Sequence, residues 1–344
     1  MKAKCTLLFL FLGTLLIQAQ QFNTPVDYLN YIGKESDNIS RSTWKYMEAA
    51  AHSKRARKIN NTREALLKTI QSASKKIQAL KDGYKGDVEY RDQMIAYLSM
   101  SEKMVNEDYA TIIDMQEVAE QSYDYMEAYI MMQEKINEKF SSEVDKINAA
   151  QDVFAKKYNI RISSEMTAIG QKIRTSNEVF DNRTDLYLLF FKVNFTEGSM
   201  LEALEKKDLN AIQQSANALS LYADEGLEKL KIFKPYKNDP MLVNASKKYF
   251  EFAKKEATDY ATQAAAFLML NQKFEESKKL MDAKTDSQKT KEDINSFNKL
   301  VEEFNKGVNN YNKINTKYNN DRSSAIENWN ITADNFVAKH VPVG

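Results

Sequence analysis

Cysteine, histidine, proline and glycine are scarce in this 344-residue chain, which carries one, two, four and nine of them. Each scarcity excludes something. The single thiol, Cys5, has no partner for an intramolecular disulfide, so stability has to come from apolar burial. With His52 and His340 the only imidazoles, there is no HExxH zinc motif and no Glu-x-x-His pair of the di-iron carboxylate proteins. A Gly-x-Ser-x-Gly nucleophile turn and a phosphate-cradling glycine loop are missing too. The protein therefore reads as a non-enzyme, with no catalytic, cofactor-binding or metal-ligating residues to assign and no cofactor implied.

A charge of one sign is also lacking. The 49 basic and 48 acidic residues leave a net charge of +1, and losing Lys2 and Lys4 by processing would bring the count to 47 against 48. Nucleic acid, which needs a net basic face, is excluded as a partner. Long apolar runs are confined to the beginning. Lys2 and Lys4 precede an apolar stretch from Leu7 to Ile17, and the small residue Ala19 follows. That is the pattern of a secretory signal peptide covering residues 1–19, cleaved after Ala19. It is too short for a spanning helix, and no other uncharged stretch approaches the required ~20 residues. Cys5 lies ahead of the apolar run, so the chain does not read as a lipoprotein. The expected product is exported and not transmembrane.

What is present is helix-forming. Ala, Lys, Glu, Leu and Met are plentiful, and with so little proline and glycine the fold class is all-α. Leu66, Ile70, Ala73, Ile77, Leu80 and Tyr84 step by four and three along one helical stripe, after an N-cap pattern at Asn61 to Glu64 and before Gly83. Thr24-Pro25 reads as the start of a first helix running toward Lys58, and Asp87 and Tyr125 mark a third and a fourth. In the second half, stripes opening at Met166, at Leu209, after Asp239-Pro240 and through Phe297 to Trp329 mark four more. Several of these helices would exceed 30 residues, about 45 Å, and would need partners of equal length.

The string Asp-Tyr-Ala-Thr occurs at 108–111 and again at 259–262, and its surroundings argue for a duplication. Tyr84-Lys85-Gly86-Asp87 pairs with Tyr236-Lys237-Asn238-Asp239 at an offset of 152, as do Leu80 with Ile232 and Tyr97 with Tyr249. The tetrapeptide follows at 151, and Tyr158-Asn159-Ile160 with Trp329-Asn330-Ile331 at 171. The expectation is an elongated pair of tandem up-and-down four-helix bundles, residues 22–160 and 161–344. The alternative, that Asp108 and Asp259 are two equivalent ligand sites, is weakened by the one-residue slip.

Four further features are weighed against plainer readings. The basic cluster His52 to Lys58 is either a dock for phosphates or a set of cations complementing the C-terminal dipole of the first helix. Tyr123, Tyr125, Met126, Tyr129, Met131 and Met132 are either a small-molecule groove or core. Leu186 to Phe191 is apolar around the whole helix and is read as packing where the halves meet, with a partner or membrane surface as the alternative. Sequons at Asn182, Asn194 and Asn244 matter only in a eukaryotic secretory host.

The segment Phe304 to Asn312, with Glu327-Asn328-Trp329-Asn330 and Asn335 to Pro342, resembles an uncharacterised family of exported helical surface proteins from spirochaetes and Bacteroidetes. The Ala-Gln ending of the signal segment is similar to those of Bacteroidetes. The resemblance covers about forty residues, implies a location and no chemistry, and carries over no functional residues. The function expected is a cell-surface or envelope interaction or structural module, its partner an unidentified protein or envelope component. The alternative is a periplasmic protein that binds or senses a small ligand. Location is thus the periplasm or the cell surface, and the plain ending His340 to Gly344 favours the periplasm.

Overall fold

A computed structural model describes residues 22–53, 55–108, 122–163 and 165–344; the signal segment, with Cys5 and Ala19, lies outside them. The protein is all-α, and among the described residues the only β feature is an isolated bridge between Tyr84 and Asp87. The helices are α1 (Pro25–His52), α2 (Ala56–Gln78), α3 (Glu89–Lys103), α4 (Tyr123–Lys157), α5 (Ala168–Glu205), α6 (Leu209–Ile232), α7 (Met241–Lys255), α8 (Ala261–Asp282) and α9 (Lys291–His340). None of them is long and apolar enough to cross a membrane.

Local chemistry sets several of the starts. Thr24 accepts from the Asp27 amide at 3.1 Å while the Asp27 carboxylate accepts from the Thr24 amide at 3.0 Å, a reciprocal cap with Pro25 at the first helical position. Thr290 and Asp293 form the same box ahead of α9. Asp208 accepts from the amides of Asn210 and Ala211 to open α6. Elsewhere the boundaries differ from the sequence reading. The first helix stops at His52, six residues before Lys58, and α2 begins at Ala56, so Asn61 and Thr62 are helical and not a cap. That helix ends at Gln78, and Gly83 belongs to the turn that follows.

By packing, the described residues form two units. The first comprises 22–43, 61–108 and 135–165, the second 44–60, 122–134 and 166–344, so α1, α2 and α4 contribute to both. In the first unit an aromatic cluster forms the centre. Tyr28 lies 5.2 Å from Phe154 and 6.0 Å from Tyr84, and Tyr158 packs edge-on against Tyr84 at 5.1 Å. The α2 stripe Leu66, Ile70, Ala73 and Ile77 is buried, as are Tyr90, Met94 and Leu98 of α3. Beneath them, Lys76 donates to both oxygens of the buried Glu35 at 2.8 and 3.0 Å.

In the second unit α5, α6, α7 and α9 share one core. Trp329 is its centre, 1 % exposed, stacked on Phe190 at 4.1 Å and donating its indole N–H to Ser246 at 2.9 Å. Gly226 lets α6 and α7 approach closely: a Cβ there would meet the Phe250 ring at 2.8 Å. A satellite cluster joins Met126 to Phe191, with Tyr123, Tyr129, Tyr187 and Phe195 around it. Lys192 fixes the edge of this cluster, lying over the Tyr222 ring at 3.9 Å and pairing with Glu225 at 2.8 Å.

Both α3 and α7 are followed by a five-residue π turn, Met104–Asp108 and Glu256–Tyr260. After the second, the chain continues as α8, which pairs antiparallel with α9 through stacked rings. Tyr260 faces Tyr318 at 5.2 Å, Phe267 faces Tyr311 at 4.5 Å and Phe274 faces Phe304 at 4.2 Å. Each step moves seven residues up one helix and seven down the other, the heptad register of a coiled-coil seam. Gly307 lets the helices close, since a Cβ there would come within 2.7 Å of Leu270. We call this helix pair, beyond Ala264, the arm.

Candidate functional site

The most unusual chemistry in the described residues lies where the second unit's core meets its π turn. Glu197 sits on the buried stripe Leu186, Phe190, Val193, Glu197 and Met200 of α5, so helical geometry carries it inward with its neighbours. Glu256 opens the π turn on the stripe Tyr249, Ala253, Glu256 and Tyr260. Arg322 comes from α9, one turn after Tyr318. Glu197 is 1 % exposed and Glu256 is fully buried.

Arg322 donates through Nη2 to Glu256 Oε1, and its Nε lies 3.6 Å from Glu197 Oε1, too far for a hydrogen bond. Its Nη1 donates to Asn319 at 2.6 Å, and the guanidinium lies 5.9 Å from the Tyr260 ring. Tyr249 donates its hydroxyl to Glu197 Oε2 at 3.0 Å, and Asn194 donates to that hydroxyl at 3.1 Å. Two carboxyls thus share one guanidinium. Burial, with the neighbouring Glu256 carboxyl, pushes Glu197 up to about 9. At neutral pH Glu197 therefore keeps its proton, while its Oε1 and the Oε2 of Glu256 are buried without a hydrogen-bond partner. The arrangement stores a proton in a site closed to solvent. Among the described residues, no group of three or more His, Cys, Asp or Glu side chains is placed to hold a metal ion.

A second polar cluster closes the same unit's other end. Asp239 accepts from Lys339 at 2.6 Å and from the His340 ring at 2.7 Å. Burial would raise its pKa, but these two partners and the Met241 amide outweigh that and hold it at about 2. In the first unit, Asp87 accepts from Lys157 at 2.8 Å and from the Tyr158 hydroxyl at 3.2 Å.

The other residues singled out from the sequence are scattered. Asp259 is exposed and accepts from the Tyr318 hydroxyl at 3.4 Å, whereas the side chain of Asp108 and the rest of its tetrapeptide lie outside the described residues. In the backbone register the two aspartates are not equivalent: Asp108 is the last residue of its π turn and Asp259 the last but one. The basic cluster does not sit at a helix C-terminus as a set. Only His52 ends α1, while Arg57 and Lys58 are in the first turn of α2, where the helix dipole opposes them. His52 is exposed, with Nε2 3.2 Å from the carbonyls of Val341 and Pro342, and it lines a cleft of about 480 Å³ with Phe180, Arg183, Ile331 and Asp334.

The aromatic and methionine stretch divides. Met126 is buried against Phe191, while Tyr125 and Met131 are more than half exposed. From the apolar run, Leu186 and Phe190 go into the main core and Phe191 into the satellite cluster. Asn194 is occupied by Tyr249 inside the protein, Asn182 donates to the Lys234 carbonyl at 3.3 Å, and Asn244 is exposed.

Sequence reasoning missed Glu197, Glu256 and Arg322. The signal was available: each is a charged residue on an otherwise apolar helical stripe, and Arg322 is the one arginine after Arg183 in a lysine-rich half. No protein-family model, curated protein or solved structure matches the chain.

Proposed function

We propose that the chain is an exported, non-enzymatic protein that works through its surface, as an envelope interaction or structural module located in the periplasm or at the cell surface. The observation that carries this reading is the arm. Its rings pair along a heptad seam, yet Phe267, Phe274, Phe304 and Tyr311 are only half-buried. A helix pair that leaves its inner stripe half-covered suits a role in which another surface completes it. The charged, leader-like start at Lys2 and Lys4 supplies the export half of the reading. A second reading, small-ligand binding, is favoured by the cleft beside His52, Arg183 and Asp334. The test is to isolate the protein from its host and determine its N-terminal residue and compartment. A chain beginning near Gln20 in an envelope fraction supports the proposal, and a chain retaining residues 1–19 in the cytosol refutes it.

The internal plan belongs to the same proposal: two tandem up-and-down helical bundles, 22–160 and 161–344, descended from one duplicated unit. The support is local and repeated. The helices Glu89–Lys103 and Met241–Lys255 are each 15 residues long, lie 152 residues apart, and are each followed directly by a π turn of five. Lys85 and Lys237, also 152 apart, both have positive φ, 51° and 49°. Tyr84 packs edge-on to Tyr158 at 5.1 Å and 89°, and Tyr236 to His340 at 5.3 Å and 82°. Asp87 takes Lys157 and Tyr158 as Asp239 takes Lys339 and His340. These pairs favour an offset of 182 at the ends of α4 and α9, in place of the 171 suggested by Tyr158 and Trp329. Equally, Leu80 is buried while Ile232 is 82 % exposed, so those two positions differ in environment. On this alignment the growth in offset from 152 to 182 falls between the π turn and the last helix, which is where the second unit carries its arm.

The same alignment sets Glu256 against Met104 and Arg322 against Phe140, which packs on Tyr97 at 5.4 Å. On this alignment the positions of the ion pair in one unit carry the half-buried, apolar Met104 and Phe140 in the other.

A further inference from the structure

Past Ala264, α8 has no buried residue, and α9 has none between Leu300 and Tyr318. Two helices cover one stripe of each other and leave their flanks bare. Along one flank of α8, Met269, Lys273 and Leu280 follow at intervals of four and seven, on one face. Met269 is 54 % exposed and Leu280 69 % exposed. Leu280 stands at the edge of a groove of about 770 Å³ between α8 and α9, with Met281, Phe297 and Leu300 along it. The charged residues of this groove are Lys273, Lys284 and Lys299 on one side of the balance and Glu292, Asp293 and Glu303 on the other.

We propose that this groove face of the arm is a self-association surface whose partner is the arm of a second copy of the chain. Three lines of argument favour that occupant. First, with Lys284 already paired to Asp293 at 2.7 Å, the groove keeps two cations, Lys273 and Lys299, and two anions, Glu292 and Glu303, around an apolar strip. A balanced set of this kind lets a self-complementary, isologous contact set each sign against its complement. A phosphate-bearing polymer or an anionic membrane would instead call for one sign.

Second, the area suffices. From residue 265 to 282 the arm is about 27 Å long, and two helices 8–10 Å apart present a face about 20 Å wide. Joining two such faces buries roughly 1,100–1,400 Å² in total, the lower end of the range for specific complexes, so the dimer should be weak and reversible. Third, four helices close a core that two leave half-open, and a second arm supplies the missing pair for Phe274, Phe297 and Phe304. The inference names the partner for the interaction role proposed above and rests on it. Its failure is nonetheless separable, because export and compartment are measured independently of association.

The experiment is sedimentation equilibrium of the purified chain from about 1 to about 200 µM, with Kd in the micromolar range expected. Leu280→Lys should weaken association at least tenfold. The decisive pair is Lys273→Glu with Lys299→Glu in one variant and Glu292→Lys with Glu303→Lys in another. Each should be monomeric alone, with unchanged helical circular dichroism, and the two should form a heterodimer when mixed. A wild-type chain that stays monomeric throughout overturns the proposal and leaves the face to a different partner. A dimer that none of these substitutions weakens overturns it as well, by putting the contact elsewhere.

Discussion

Glu197→Gln isolates the proton held in the second unit's core. In the wild-type protein the folded carboxyl is raised from 4.5 to about 9, chiefly by burial and then by Glu256. Between those values the folded state holds a proton that the unfolded chain has released. Stability linked to this group is therefore present in full below the unfolded value and is lost as pH rises toward the folded one. A one-proton difference has a limiting slope of about 1.4 kcal/mol per pH unit. From pH 6 to pH 8 the wild type should then lose up to about 3 kcal/mol relative to the amide, less if water enters the core. The groups facing Glu197 are Glu256 and Arg322, with Tyr249 and Asn194 hydrogen-bonded beside it, and all are common to both proteins, as are His52 and His340. Groups outside this cluster drop out of the difference, and Glu256 beside Glu197 is part of what it reads. Urea unfolding followed by far-ultraviolet circular dichroism at pH 6, 7 and 8 reads the effect. A wild-type-minus-variant stability that is flat with pH, or that rises, refutes the reasoning.

Other substitutions probe the same structure. Arg322→Leu should cost about 3–5 kcal/mol, since it leaves two buried carboxyls without their cation. Replacing both members as in the other unit, Glu256→Met with Arg322→Phe on a Glu197→Gln background, should recover most of that loss, and denaturant midpoints distinguish the two outcomes. Ser246→Ala orphans the Trp329 indole N–H and should cost about 1–3 kcal/mol with a shift in tryptophan fluorescence. Lys76→Ala leaves Glu35 buried without its amine. Because that lysine is 45 % exposed, the expected cost is about 1–2 kcal/mol rather than that of a fully buried pair, and thermal unfolding measures it.

Much of the helical plan was legible because the physics that makes it is local. Thr24-Pro25 and Asp239-Pro240 act next to the helix they start, Asp239 accepting from the Met241 amide at 3.1 Å, so they can be recognised without knowing the fold. The end of α1 at His52 and the start of α2 at Ala56 were not legible: no glycine or proline marks either, and Asn61-Thr62 offers a cap pattern that the chain does not use. Both π turns were invisible for the same reason, since Met104–Asp108 and Glu256–Tyr260 contain only ordinary helix residues. Periodicity shows that the arm's rings share one face of each helix. How many helices cover that face is a tertiary fact. The buried cluster was hidden by composition. In a chain where 28 % of residues are charged, a glutamate on an apolar stripe looks like the polar margin until its neighbours on three helices are known.

The reading of the protein as an exported, surface-acting module is tested most directly by protease treatment of intact cells, with a resident periplasmic protein as the control for leakage. The account predicts that this chain lies outside the cytoplasmic membrane. It should be cleaved on intact cells, or protected there and cleaved as soon as the outer barrier is opened. Protection that persists until the cytoplasmic membrane is broken would contradict it.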